Sequence, residues 1–155
     1  MTHTSRRTAL AMLAGASFAS GIQAQSPPLL KVTKDPGCGC CQAWIDHMRA
    51  EGFRAEVVES AQINRVKTKL NIPKDLWSCH TAEIGGYVLE GHVPAGAVRR
   101  LMVERPVGSG LAVPGMPVGS PGMEIDGASD ETYSVILFGG GKTSTFAQYR
   151  GRDII

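Results

Sequence analysis

The chain has 155 residues, room for one domain, and its 19 glycines, 9 prolines and few aromatic residues imply a modest core and long loops. Its formal net charge of +2 comes from Arg6 and Arg7, and the rest of the chain balances acid against base. A neutral domain lacks the basic field that phosphate binding needs, which excludes nucleic acid as the main partner. Residues 1–24 read as a signal peptide. Arg6 and Arg7 form its charged region, Ala9 to Ile22 its apolar stretch, and Ile22-Gln23-Ala24 a cleavage site before Gln25. Ser5-Arg6-Arg7 also fits a twin-arginine signal, with an ordinary secretory signal as the alternative. The stretch is short for a membrane span, and no other segment is apolar enough to be one. The remainder, 25–155, is expected to be one domain exported to the periplasm.

Leu29 to Lys34 alternates around Leu30 and Val32 and predicts a first strand, broken by Asp35-Pro36-Gly37. A helix starting at Cys40 or Cys41 and running to about Ala50 follows. Its apolar face is Cys41, Trp44, Ile45 and Met48, and Gly52 stops it. Phe53 to Glu59 predicts a second strand with Phe53, Ala55 and Val57 on one face. Ser60 is placed to cap a second helix that buries Ile63, Val66 and Leu70 and ends at Pro73. Thr81 to Ile84 and Tyr87 to Glu90 make a hairpin about Gly85-Gly86. Pro94 opens a third helix with the stripe Val98, Leu101 and Met102, and Pro106 closes it. From Pro106 to Glu131 no periodicity is visible, and a loop this long is functional or disordered. Tyr133 to Phe138 and Thr145 to Tyr149 form a last hairpin. The glycines from Gly139 lack the spacing and the following helix of a phosphate loop.

That order predicts an α/β fold. A parallel strand pair joined through a helix, then an antiparallel hairpin and a covering helix, is the thioredoxin-like arrangement of a mixed sheet with flanking helices. The long Gly/Pro/Met loop and the C-terminal hairpin are additions to it.

Outside the cytoplasm four cysteines ordinarily mean two disulfides. Cys38-Gly39-Cys40-Cys41 contains a C-x-x-C pair at a helix start, where unpaired N–H groups stabilise thiolates. Three sulfurs in four residues exceed the needs of a redox pair and suit a soft metal. The alternative is a structural Cys38–Cys41 disulfide with Cys40 buried. Cys79, before the third strand, faces that turn in a thioredoxin-type fold. Disulfide-exchanging proteins carry a cis-proline there, whereas this chain has Ser78-Cys79-His80-Thr81. A fourth sulfur in that place turns the site from thiol exchange towards metal binding, with an ordinary buried cysteine as the alternative.

Met116 and Met123 lie in stiff turns of the aperiodic loop. Thioether sulfur prefers Cu(I) over Zn(II), Mg(II) or Ca(II), although methionine also fills gaps in cores. His47, nearly two helical turns past Cys41, and His92, just before Pro94, are further candidate ligands or else packing residues. His3 is removed with the signal.

Cys38–Cys41, Ser78–Ala82, Glu90–Pro94 and Gly110–Glu124 together resemble the CopG-like family of periplasmic copper-resistance proteins (not the DNA-binding repressor of the same name). The cysteine positions show no departure from it. The resemblance implies a thioredoxin-like fold, a periplasmic setting beside other copper-handling proteins, and copper, as Cu(I), in a cysteine-bridged multinuclear cluster. It also implies Cu(II)/Cu(I) conversion, which would make the protein a copper oxidoreductase. A thiol-disulfide oxidoreductase using Cys38 and Cys41, and a disulfide-stapled binding module, are the competing readings.

Overall fold

The computed structural model describes residues 28–155, so the signal-peptide reading of 1–24 falls outside the described residues. Strand β1 (Leu29–Lys34) leads to α1 (Gly39–Ala50) and β2 (Arg54–Glu59), and β2 lies parallel to β1. Helix α2 (Ile63–Lys69) and a 3-10 turn (Lys74–Leu76) precede the hairpin of β3 (His80–Ile84) and β4 (Tyr87–Glu90), then α3 (Ala95–Glu104). β5 (Gly110–Ala112), β6 (Thr132–Gly139), β7 (Lys142–Arg150) and β8 (Asp153–Ile154) complete one mixed sheet in the order β2-β1-β3-β4-β5-β6-β7-β8. The fold is α/β, as expected. Among the described residues no helix is long and apolar enough to cross a membrane.

The core follows from local pattern. In α1, Cys41, Trp44, Ile45 and Met48 are all buried, as their i, i+3, i+4, i+7 spacing requires. Trp44, Ile45 and Met48 pack with Val98 and Leu101 of α3 on the sheet face that presents Leu30, Val32 and Leu89. A smaller cluster of Ile72, Leu76, Val88, Ala112 and Phe138 covers the opposite face. Leu89 and Val88 thus fall on opposite sides, the two-residue period of a strand buried on both faces.

Three expectations need correction. Ile63, Val66 and Leu70 are only half-buried, and the residue that α2 buries is Lys67. Ser60 does not cap the helix directly. Its hydroxyl accepts a hydrogen bond from Gln62 N, one residue before the first turn. The segment after Pro106 is also not wholly without structure. Gly110–Ala112 forms β5, which pairs parallel to β4 and antiparallel to β6 and carries the sheet into the last hairpin. Three residues are too few for periodicity to reveal a strand.

Candidate metal centre

Helix α1 begins at Gly39, with Cys38 as its N-cap, and Cys38 Sγ accepts a hydrogen bond from Cys41 N at 3.3 Å. Cys38 and Cys41 are joined as a disulfide, while Cys40 and Cys79 are free and half-buried. On this turn Cys38 and Cys40 are half-buried and Cys41 is buried, whereas the structural-bridge alternative expected Cys40 to be the buried one. Cys40 Sγ stands 3.5 Å from Cys38 Sγ and 3.9 Å from Cys79 Sγ. All four sulfurs lie within 4.8 Å of one another. Cys79 therefore faces the Cys38–Cys41 turn across the domain, where the sequence had located it.

A second group shares Cys79. His92 Nε2 lies 3.2 Å and His80 Nδ1 3.4 Å from Cys79 Sγ, and the three donor atoms lie within 4.8 Å of one another. His92 Nδ1 is 2.8 Å from Pro121 O and must carry the proton it donates there, which leaves Nε2 with its lone pair towards the sulfur. His80 Nε2 is buried with no partner among the described residues. The His80 ring packs 4.3 Å from Trp44 and 5.1 Å from His92, centroid to centroid. Trp44 donates its indole N–H to Val93 O and so ties α1 to the turn that carries His92.

His80 was not among the sequence candidates. The sequence predicts a strand from Thr81, which leaves His80 in the connecting segment with no role, whereas in the structure β3 starts at His80 and Cys79 lies just before it. The signal that could have found it was the Cys-His dipeptide itself.

Burial acts on each of these groups. It pushes the Cys79 thiol up to about 11, and the neighbouring Cys40 adds to the shift. Burial holds His80 well below its ordinary value, helped by the charges of His92 and Lys67, and lowers His92 as well. Both imidazoles are thereby kept neutral and able to bind metal.

Behind Cys79 lies a buried charge pair that the sequence did not disclose. Lys67 and Glu90 are both fully buried and ion-paired. Lys67 also donates to Thr81 Oγ1 at 2.9 Å. Glu90 accepts from Ser78 N and from the Thr81 hydroxyl, each at 2.6 Å. The residue before Cys79 is therefore held by a charged acceptor, a stronger tether than a neutral one.

The loop of the two methionines is fastened to both cysteine segments. Ser78 donates its hydroxyl proton to Gly115 O at 2.8 Å, one residue before the exposed Met116. Gly122, with φ of +86°, rests against α1, and a Cβ there would come within 2.6 Å of Trp44 N and 3.0 Å of Cys40 O. Met123, next in the chain, is half-buried. His47 belongs to neither donor group. Burial and Arg152 lower its pKa, and its surroundings are the charges of Glu51, Glu124 and Arg99.

Comparison with known proteins gives three findings. The family described as a protein of unknown function, DUF411, matches residues 76–123, the stretch from just before Cys79 to Met123. Two solved structures titled copper resistance protein copG, Form 1 and Form 2, are each 43% identical to this chain with a TM-score of 0.75. Form 1 covers 81% of this chain and 99% of its own, and Form 2 covers 79% and 98%. Among curated proteins none matches.

Proposed function

The chain belongs to the CopG-like copper-resistance family, and from that premise we propose that it is a periplasmic copper-binding protein that holds Cu(I) between its four cysteines. The observation that carries this reading is the gathering of four sulfurs from two facing segments within 4.8 Å. Sulfur separations of 3.5 and 3.9 Å suit donors that share or bridge metal ions, because two thiolates about 2.3 Å from one ion stand roughly 4 Å apart. Thiolate is the donor that selects Cu(I).

Binding needs thiolates. The Cys38–Cys41 disulfide must first take two electrons from a thiol reductant, which becomes oxidised, and yield two thiols. The thiols of Cys38, Cys40, Cys41 and Cys79 then each release a proton as they bind, as a metal-bound thiol does. Met116 and Met123 are the reserve thioether donors, presented by a loop docked on both cysteine segments, and His92 is an imidazole donor beside Cys79. His47 takes no part in a single compact site unless the cluster is extended. Alternation between the disulfide and the loaded dithiol would make the protein a copper oxidoreductase. Its setting is export by the residue 1–24 signal, with mature protein beginning near Gln25, and its partners are other periplasmic copper-handling proteins.

The test is Cys79→Ser under anaerobic, reducing conditions. Copper(I) stoichiometry or affinity should fall sharply, and so should the thermal stabilisation that copper gives. His47→Ala should change either far less. Full loading and full stabilisation of Cys79→Ser would confine the site to the Cys38–Cys41 turn and defeat the reading. One observation favours a second function. The Cys38–Cys41 disulfide is the resting form of a thiol-disulfide oxidoreductase, and Cys38 is its more exposed sulfur. Insulin reduction at thioredoxin-like rates, unaffected by Cu(I), would make that reading the better one.

A further inference from the structure

Lys67 and Glu90 are fully buried charges to which the function proposed above gives no role. Their ion pair joins the last turn of α2 to the end of β4. Taking two charges out of water is costly, and a well-packed apolar pair would serve stability as well. The reason for the pair lies in what it holds.

A single oxygen holds two places. Glu90 Oε1 takes the Lys67 ammonium and, at 2.6 Å, the backbone N–H of Ser78. Lys67 and Ser78 stand at the two ends of the segment that crosses from α2 to β3. One carboxylate oxygen therefore clasps that segment at its base. The other oxygen accepts from the Thr81 hydroxyl at 2.6 Å, and Thr81 Oγ1 accepts from Lys67 at 2.9 Å. The carboxylate cannot turn away without losing three partners.

We propose that Glu90 is a positioning residue for Cys79. Its hydrogen bond to Ser78 N sets where the Cys79 sulfur stands, and Lys67 and Thr81 keep the carboxylate aimed at that N–H. The purpose of the clasp rests on the copper(I) reading above, whereas its geometry does not.

Ser78 is confined on its other sides as well. Its hydroxyl donates to Gly115 O at 2.8 Å. Gly91, with φ of +72°, packs so closely that a Cβ there would come within 2.8 Å of Ser78 Cβ and Oγ. Cys79 is the next residue, and its sulfur stands 3.9 Å from Cys40 Sγ. A donor displaced by about 1 Å falls out of the geometry that the rest of a site needs.

The clasped segment also has packing of its own. Ile72 and Leu76 belong to the smaller core cluster, with Leu70 and Trp77 against it. Trp77 donates its indole N–H to Ile72 O at 2.9 Å. Opening the clasp thus frees the Ser78 end while the segment stays packed, which separates an effect on Cys79 from unfolding.

The experiment compares two double variants of the mature chain. Glu90→Leu with Lys67→Met removes the acceptor of Ser78 N and leaves no buried charge unpaired. Glu90→Gln with Lys67→Met restores a neutral acceptor of the same reach. Cu(I) affinity is measured on reduced protein by competition with a chelator. Iodoacetamide labelling of Cys40 and Cys79 is followed separately by peptide mass spectrometry, on metal-free protein with the disulfide intact. The leucine variant should bind Cu(I) more than about tenfold more weakly, the loss typical of an outer residue that orients a ligand. Its Cys79 should label several-fold faster, with Cys40 unchanged. The glutamine variant should restore both values, even where its urea midpoint stays low. If the leucine variant fails to fold by circular dichroism, Ser78→Pro, which deletes the N–H alone among the Glu90 contacts, should show the same two changes relative to Ser78→Ala. Unchanged affinity and labelling would overturn the proposal. So would equal acceleration of both thiols, or a glutamine variant that restores neither value, since those mark general loosening. If the unaltered protein takes up no Cu(I), the four-sulfur reading fails, and the labelling contrast alone decides the clasp.

Discussion

The Cys38–Cys41 turn and the wall from Ser78 to His92 face each other across the site, and the fold holds them by different means. The turn is held by a helix start and by a covalent bond that two electrons can open. The wall is held by a buried ion pair, by strand pairing of β3 with β1 and β4, and by imidazoles locked in place. The difference teaches where the adjustable part of the site lies. Redox chemistry acts on the donors of the turn, whereas Cys79 and its histidines take no part in the disulfide.

The comparison breaks most readily at Lys67. Removing its charge with Lys67→Met leaves Glu90 buried and unpaired, and losing one member of such a pair costs about 3–5 kcal/mol. Urea unfolding of metal-free protein measures this. Pairing Lys67→Met with Glu90→Leu should recover only part of the loss, because Ser78 N and Thr81 lose their acceptor. A loss below about 1 kcal/mol in the single variant, no more than an ordinary neutral hydrogen bond, would mean that the wall is not held by charge.

Gly122 tests whether the methionine loop belongs to the turn. Gly122→Ala forces a Cβ at positive φ against Trp44 N and Cys40 O. Overpacking of this kind costs about 1–3 kcal/mol. The melting temperature should fall, and amide exchange should quicken in 119–124. An unchanged melting temperature would show the loop unseated from α1.

Acid gives the smallest effect and sharpens the contrast, since a disulfide does not titrate and His80 and His92 do. Their folded pKa values lie below the ordinary 6.5, His80 the furthest, chiefly through burial. Below pH 6.5 the unfolded chain takes up these protons before the folded one does. Stability is therefore full above about that pH and declines as pH falls through it, until the folded histidines protonate as well. Urea midpoints of metal-free protein at pH 7.5, 6 and 5 should fall in that order. A flat series would mean that the wall admits water to its imidazoles.

Much of this was legible from residues alone. Helix α1 and its buried face, the Gly85-Gly86 hairpin, the family, and the confrontation of Cys79 with the Cys38–Cys41 turn all follow from short-range patterns and one topological rule. Such patterns are local: a period of two or 3.6 residues, a turn residue, a spacing of cysteines. Tertiary structure decided the rest. Lys67 reads as a solvent-facing helix residue until Glu90, 23 positions later in sequence, arrives beside it. β5 is three residues long and exists because β4 and β6 flank it. His80 joins Cys79 only because the strand begins between them, and both methionine turns take their positions from contacts with Ser78 and α1. In each case the deciding energy is a contact between residues far apart in the chain, and no local repeat of residue types encodes such a contact.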